Sequence, residues 1–133
     1  MNKFPYPFTI SQDMTDAPPN AYALVNGSPT YPDIPSFYGF HIHEHGDCSH
    51  SFANTGGHYN PQNQPHPFHA GDLPPVTSCD GYSWMSVYIQ QLRLNDVIGR
   101  SVVLHGRADD FTTQPSGNSG EKIACGIVEK WVI

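Results

Sequence analysis

Seven of the eight histidines fall between His41 and His69, and five of them make three short groups. His41 and His43 are separated by one residue, Ile42. His58 stands in Gly57-His58-Tyr59-Asn60-Pro61, and two more stand in His66-Pro67-Phe68-His69-Ala70-Gly71-Asp72. The eighth, His105, closes the apolar run Val102-Val103-Leu104. Neutral imidazole is the commonest protein ligand for zinc and copper, so this density is read first as metal chemistry. His58, His66, His69 and Asp72 join three imidazoles to one carboxylate, a donor mix suited to zinc held by a wrapped loop. His41, His43 and His105 form an all-nitrogen group suited to copper. His66 or His69 taken alone is better read as a surface loop histidine; the whole set is not. His45 and His50 have no place in either group and read as solvated loop residues.

These side chains need elements to position them. The row Phe37-Tyr38-Gly39-Phe40-His41-Ile42-His43 is rich in aromatic and branched residues and predicts a strand. Side chains alternate along a strand, which puts His41 and His43 on one face and Phe40 and Ile42 on the other. Other strands are predicted at 21–25, 82–90, 101–105 and 123–128, with 131–133 as an extension of the last. Over 82–90, Tyr82, Trp84, Ser86, Tyr88 and Gln90 share one face and Ser83, Met85, Val87 and Ile89 the other. Thirteen prolines and twelve glycines, spread along the chain, argue against long helices. One short turn is expected around Asn95-Asp96-Val97-Ile98. The fold class is all-β. Residues 47–73 lack a strand pattern and carry the ligand-rich groups, so metal binding is the natural means of ordering them. Residues 109–120 read as a second functional loop.

A length of 133 residues fits one domain spanning 1–133, large enough for a single core. No apolar run is long enough to span a bilayer, and the start lacks the apolar stretch of a signal peptide. The expectation is a protein that stays inside the cell or a mature exported form. A formal net charge of −6 argues against a nucleic-acid partner, and an anionic substrate would need a local positive patch. Cys48, Cys79 and Cys125 allow at most one intrachain disulfide, the alternative being three buried thiols.

Several motifs, in order, resemble those of the copper,zinc superoxide dismutases. Gly39-Phe40-His41-Ile42-His43-Glu44 is similar to the family's first copper motif, and Gly57-His58-Tyr59-Asn60-Pro61 to its bridging-histidine motif. His69-Ala70-Gly71-Asp72-Leu73-Pro74 resembles the end of its zinc loop. Gly117-Asn118-Ser119-Gly120 and Ile123-Ala124-Cys125-Gly126 resemble its active-site rim and terminal strand. The resemblance runs from about Tyr38 to Val128. It implies a Greek-key β-barrel or sandwich, with copper on His41, His43, His58 and His105. It implies zinc on His58, His66, His69 and Asp72, with His58 bridging the two ions. It also implies a disulfide between Cys48 and Cys125, leaving Cys79 as the odd thiol. Asp109 resembles the carboxylate that hydrogen-bonds ligands of both metals. The substrate implied is superoxide, with His58 and Lys122 as catalytic residues.

Two departures from the family's pattern bear on function. Lys122 stands where the family usually has arginine, replacing a rigid fork of donors with a flexible point charge. About one hairpin is missing before the strand that carries the His-x-His pair, unless residues 4–10 supply a strand. An opened barrel leaves sheet edges to be covered, which makes a homodimer the expected assembly. The reading is therefore a dismutase. Its rival is a non-catalytic metal-binding or structural protein on the same scaffold, favoured by the lost hairpin and by Lys122. A zinc hydrolase is weaker, since no carboxylate outside the ligand set is placed as a general base.

Overall fold

The computed structural model describes residues 36–78 and 85–130. The expected strands at 21–25 and 131–133, the segment 4–10 and Cys79 lie outside the described residues.

Among the described residues, five strands form two antiparallel sheets. β1 (Ser36–Tyr38) pairs with β3 (Val76–Ser78), while β2 (Phe40–His43), β4 (Ser101–His105) and β5 (Lys122–Ile127) make a sheet in the order β2-β4-β5. The expected strand over 37–43 is thus divided at Gly39 between two sheets. At Gly39 the backbone turns to other partners: its N–H donates to the Arg107 carbonyl and its own carbonyl accepts from His105 N–H, both at 2.8 Å. Gly39 has no side chain to obstruct this, and a Cβ there would lie 2.8 Å from the Ser119 Cβ.

The alternation expected on β2 explains the core. Phe40 and Ile42 pack with Val102 and Leu104 of β4 and Ala124 of β5, together with Tyr38, Leu73, Val76, Val97 and Val128. Their neighbours in sequence point to the opposite face, where His41 and His43 meet His105. Every residue of β2 is nevertheless buried, because the segment after Gly57 covers that second face. It runs along the free edge of β2: Tyr59 N–H donates to the Ile42 carbonyl and Ile42 N–H to the Gly71 carbonyl, each at 2.8 Å. Gly71 is required here, since a Cβ would run into the Ile42 carbonyl oxygen.

The β4–β5 register shifts between Leu104 and His105, so that His105 faces Lys122 rather than Ile123. A bulge of this kind moves one residue to the other face of a strand. Ile123 packs against the core, and Lys122 joins the histidine face.

One expected strand needs correction, one expected turn is present, and one strand was not expected. The described part of 82–90, residues 85–90, forms no strand, and no backbone ladder runs along it among the described residues. Met85 and Ile89 do pack against the core from one side, while Val87 and Tyr88 are exposed. Val87 was expected on the same face as Met85 and Ile89, so the alternation does not carry through; a strand also needs a hydrogen-bonding neighbour. The turn near Asn95 is a one-turn helix, α1 (Leu94–Val97), that buries Val97. β3 was not expected: three residues after Pro74-Pro75 are too few to show a period.

Candidate metal centre

Two donor sets converge on the histidine face: His41, His43, His58 and His105 in one, and His58, His66, His69 and Asp72 in the other. Within each set the donor atoms all lie within 4.8 Å of one another. His41, His43 and His105 come from β2 and β4, whose register places them side by side. His58, His66, His69 and Asp72 come from the segment 57–73, aligned on β2 through isolated bridges His43–His58 and His41–Asp72. His58 belongs to both sets. His45 and His50 are exposed and belong to neither.

Each ring is oriented by a bond on its far side. His41 Nε2 donates to Asp109 Oδ2 at 2.7 Å, His43 Nδ1 to the Gly56 carbonyl at 2.9 Å, and His105 Nδ1 to the Gly120 carbonyl at 3.3 Å. A neutral imidazole carries one N–H, so spending it outward leaves a lone pair on the inward nitrogen. The inward atoms are His41 Nδ1, His43 Nε2 and His105 Nε2. His58 Nε2 joins them, because its Nδ1 pairs with Asp72 Oδ1 at 2.7 Å. His41 Nδ1 and His58 Nε2 are buried with no hydrogen-bond partner among the described residues. His43 Nε2 and His105 Nε2 are 3.2 Å apart. Facing lone pairs at that distance repel unless a cation lies between them. The donor set therefore fits a metal ion, and its four nitrogens suit copper.

The second set shows the same logic. His66 Nε2 donates to Asp109 Oδ1 at 2.8 Å, which turns His66 Nδ1 toward Asp72 Oδ2, 3.0 Å away. That approach lacks hydrogen-bond geometry, so His66 Nδ1 is also a buried orphan. His69 Nδ1 lies 3.2 Å from Asp72 Oδ2 and 3.3 Å from His58 Nδ1. Three ring nitrogens and a carboxylate crowd one point, which fits zinc.

Charge states agree with ligand duty. Burial holds His43 down to about 3 and His105 down to about 4, with repulsion from His58 adding to both. His41 is pushed lower still by burial, then by His58 and His105. Burial likewise lowers His69. Burial works to raise Asp72, but the hydrogen bond from His58 and the nearby imidazoles outweigh it and keep the carboxyl below its ordinary range. These rings are neutral and Asp72 is ionised at neutral pH, the forms that bind metals.

Around the sets, Cys48 and Cys125 form a disulfide with Cα atoms 5.8 Å apart, tying the segment after β2 to β5. Asp109 is buried and connects His41 of one set to His66 of the other. Lys122 Nζ donates to Thr55 Oγ1 at 2.8 Å, to the Gly56 carbonyl at 3.1 Å and to the Phe52 carbonyl at 3.4 Å. All three of its protons are engaged, and burial lowers its pKa. Two contributors carry no signal in the sequence. Gly56 acts through a backbone carbonyl, and Gln114 is a loop glutamine that pairs with the backbone of His66.

The profile of the copper/zinc superoxide dismutase family (SODC) matches residues 11–128. A Cu-Zn superoxide dismutase from Onchocerca volvulus is 36% identical over 113 residues, 71% of this chain and 72% of that protein. Superoxide dismutase [Cu-Zn] 4 from Dictyostelium discoideum is 36% identical over 109 residues, covering 70% and 72%. Among solved structures, the clock protein EA4 aligns with TM-score 0.68 at 37% identity, covering 80% of this chain and 74% of that one. A SOD-like protein from Bacillus subtilis aligns with TM-score 0.65 at 35% identity, covering 80% and 79%.

Proposed function

The chain belongs to the copper/zinc superoxide dismutase family, and on that premise we propose that it dismutates superoxide at a copper/zinc site bridged by His58. The observation that supports this most is the sharing of His58 between two convergent donor sets, with the rings of His41, His43, His105 and His66 each oriented from behind. His41, His43, His58 and His105 would hold copper; His58, His66, His69 and Asp72 would hold zinc. When bound, copper supplies one-electron redox chemistry and zinc a fixed positive charge on the bridge. One superoxide gives up an electron and leaves as dioxygen; a second accepts that electron with two protons and leaves as hydrogen peroxide.

The residues of the chain have separate tasks in this reading. His58 would hold a proton at Nε2 and pass it to the departing peroxide, with its Nδ1, which pairs with Asp72 Oδ1 here, left to the zinc set. Asp109 fixes the rings of His41 and His66 together. Lys122 disfavours protonation of His43 and His105, so its charge is felt at the site. With its protons spent on the loop, it attracts the anion by its field rather than by a directed hydrogen bond.

A second reading, a metal-binding scaffold without turnover, has that engaged ammonium in its favour, since no directed donor remains on Lys122 for the substrate. One experiment separates the two. Purified chain is loaded with copper and zinc, its metal content is measured, and superoxide decay is followed by pulse radiolysis. Catalytic decay proportional to bound copper is expected. Full copper occupancy without acceleration would leave the scaffold reading. We further read residues 1–133 as one Greek-key barrel domain that assembles as a homodimer, on the sequence argument for a shortened barrel. Sedimentation at micromolar concentration tests the assembly, and a monodisperse monomer would remove the dimer.

A further inference from the structure

We propose that Gln114 is a positioning residue for His66, a latch between the two loops that sets how tightly the second donor set holds its metal. The inference rests on the zinc reading above. His66 is approached through residues 61–65, all exposed and outside any helix or strand, yet its ring is buried. Its orientation must therefore be imposed from elsewhere. Asp109 secures the ring through Nε2 at 2.8 Å. Gln114 secures the backbone: its Oε1 accepts from His66 N–H at 2.9 Å and its Nε2 donates to the His66 carbonyl at 2.7 Å. Among the described residues these are the only hydrogen bonds that the His66 backbone makes.

Two bonds from one planar amide to the N–H and C=O of one residue copy the exchange between paired strand residues. They fix both peptide planes and hence the direction of the Cα–Cβ bond. The latch reaches across 48 residues of sequence. It also arrives prealigned. Gln114 Nε2 lies 3.3 Å from the Thr112 carbonyl, Gly117 N–H donates to Thr113 and Asp110 N–H to Gly117, so 109–117 closes on itself. Gly117, at φ +69°, lies directly over the His66–Asp109 contact, and a Cβ there would sit 2.6 Å from His66 Nε2. One preformed loop thus delivers Asp109 to the ring and Gln114 to the backbone of the same residue. Without Gln114, His66 would keep one hydrogen bond and pivot about it.

The test uses copper-loaded, zinc-free protein given one equivalent of Co(II) as a spectroscopic stand-in for zinc. Gln114→Met keeps the length and removes both amide groups; Gln114→Asn keeps the amide but falls short of His66. Partners behind metal ligands typically change affinity about 10- to 100-fold, and a rise of that size in cobalt release to a chelator is expected for both. The cobalt d–d bands shift as well, because His66 is displaced. A staple that merely stabilised the loops would lower thermal stability and leave those bands unchanged, and that result would overturn the latch. Wild-type release rates in both variants would overturn it too. A wild-type chain that shows no tetrahedral cobalt bands would overturn the zinc reading and the latch together.

Discussion

Removing the Cys48–Cys125 disulfide is the perturbation whose size follows most directly from the structure. The bridge closes a stretch of 77 residues. In the chain-entropy account, a closed loop of that length withdraws about 15 cal/mol/K from the unfolded ensemble, or about 4.5 kcal/mol at 25 °C. Small domains are stable by about 5–15 kcal/mol, so the loss is a third of the total or more. The variant is Cys48→Ser with Cys125→Ala, and both it and its oxidised reference carry Cys79→Ser to prevent thiol exchange. Urea unfolding of the metal-free proteins reads the difference. An uncrosslinked unfolded chain exposes more surface and raises the m-value, so the comparison is of extrapolated free energies and not of midpoints alone.

The same variant has a local consequence. The segment after β2 supplies the Gly56 carbonyl that orients His43, and it is anchored to β5 by the disulfide and by Lys122. Its internal bonds, such as Asp47 with Ser49 and Asn54, are exposed and weak. Loss of the bridge leaves the segment held by Lys122 and by the bonds of Glu44 and His45 to Gly57 and Thr55. Copper affinity is expected to fall about 10- to 100-fold, measured by competition with a chelator under oxidising conditions. A stability difference below about 1 kcal/mol, with copper affinity unchanged, would refute the reasoning at both levels.

Asp109→Asn replaces an acceptor for two imidazole N–H groups with a half-donor, so zinc and copper affinities are both expected to fall by about an order of magnitude or more, read by metal competition. An effect on one metal only would break the assigned coupling. Lys122→Glu is expected to lower the second-order rate with superoxide per bound copper and to reverse its dependence on ionic strength; Lys122→Arg is expected to raise the rate. In the metal-free protein, His43 near 3 and His105 near 4 lie below the unfolded value of 6.5, so the unfolded state binds more protons in between. Stability is therefore full above about pH 6.5 and falls with acid, by up to about 1.4 kcal/mol per pH unit per histidine, down to the folded values. Denaturant titrations between pH 4 and 7 check the slope, and a flat profile would contradict the burial assigned to these rings.

The residues that meet at the two donor sets were legible because each travels with its own local context. His41 and His43 needed only the two-residue period of a strand, and the groups around His58 and His66 needed only to lie on a loop. Exclusion of His45 followed less from strand geometry than from its absence in either group. What stayed hidden was pairing. Val76–Ser78 became β3 because β1 offered an antiparallel neighbour, a relation between segments with no trace inside either. Residues 85–90 failed to become a strand for the converse reason: Met85 and Ile89 reach the core, but Val87, expected on the same face, is exposed. Backbone acceptors were hidden too, since a carbonyl such as that of Gly56 belongs to every residue type.

Lys122 shows how a single irregularity changes what a residue does. With an unbroken register, His105 would face Ile123, and Lys122 would alternate onto the side that buries Ala124. The shift between Leu104 and His105 returns the ammonium to the histidines. Once there, it meets three acceptors, Thr55 Oγ1 and the carbonyls of Gly56 and Phe52, and has three protons to give. An arginine at this position would bring five N–H donors and could keep the same anchors with two to spare for an anion. The lysine thus retains the scaffold contact and the charge while giving up directed binding. Substrate capture at this rim then depends on field alone, and field alone is what salt screens over about 10 Å at 0.1 M.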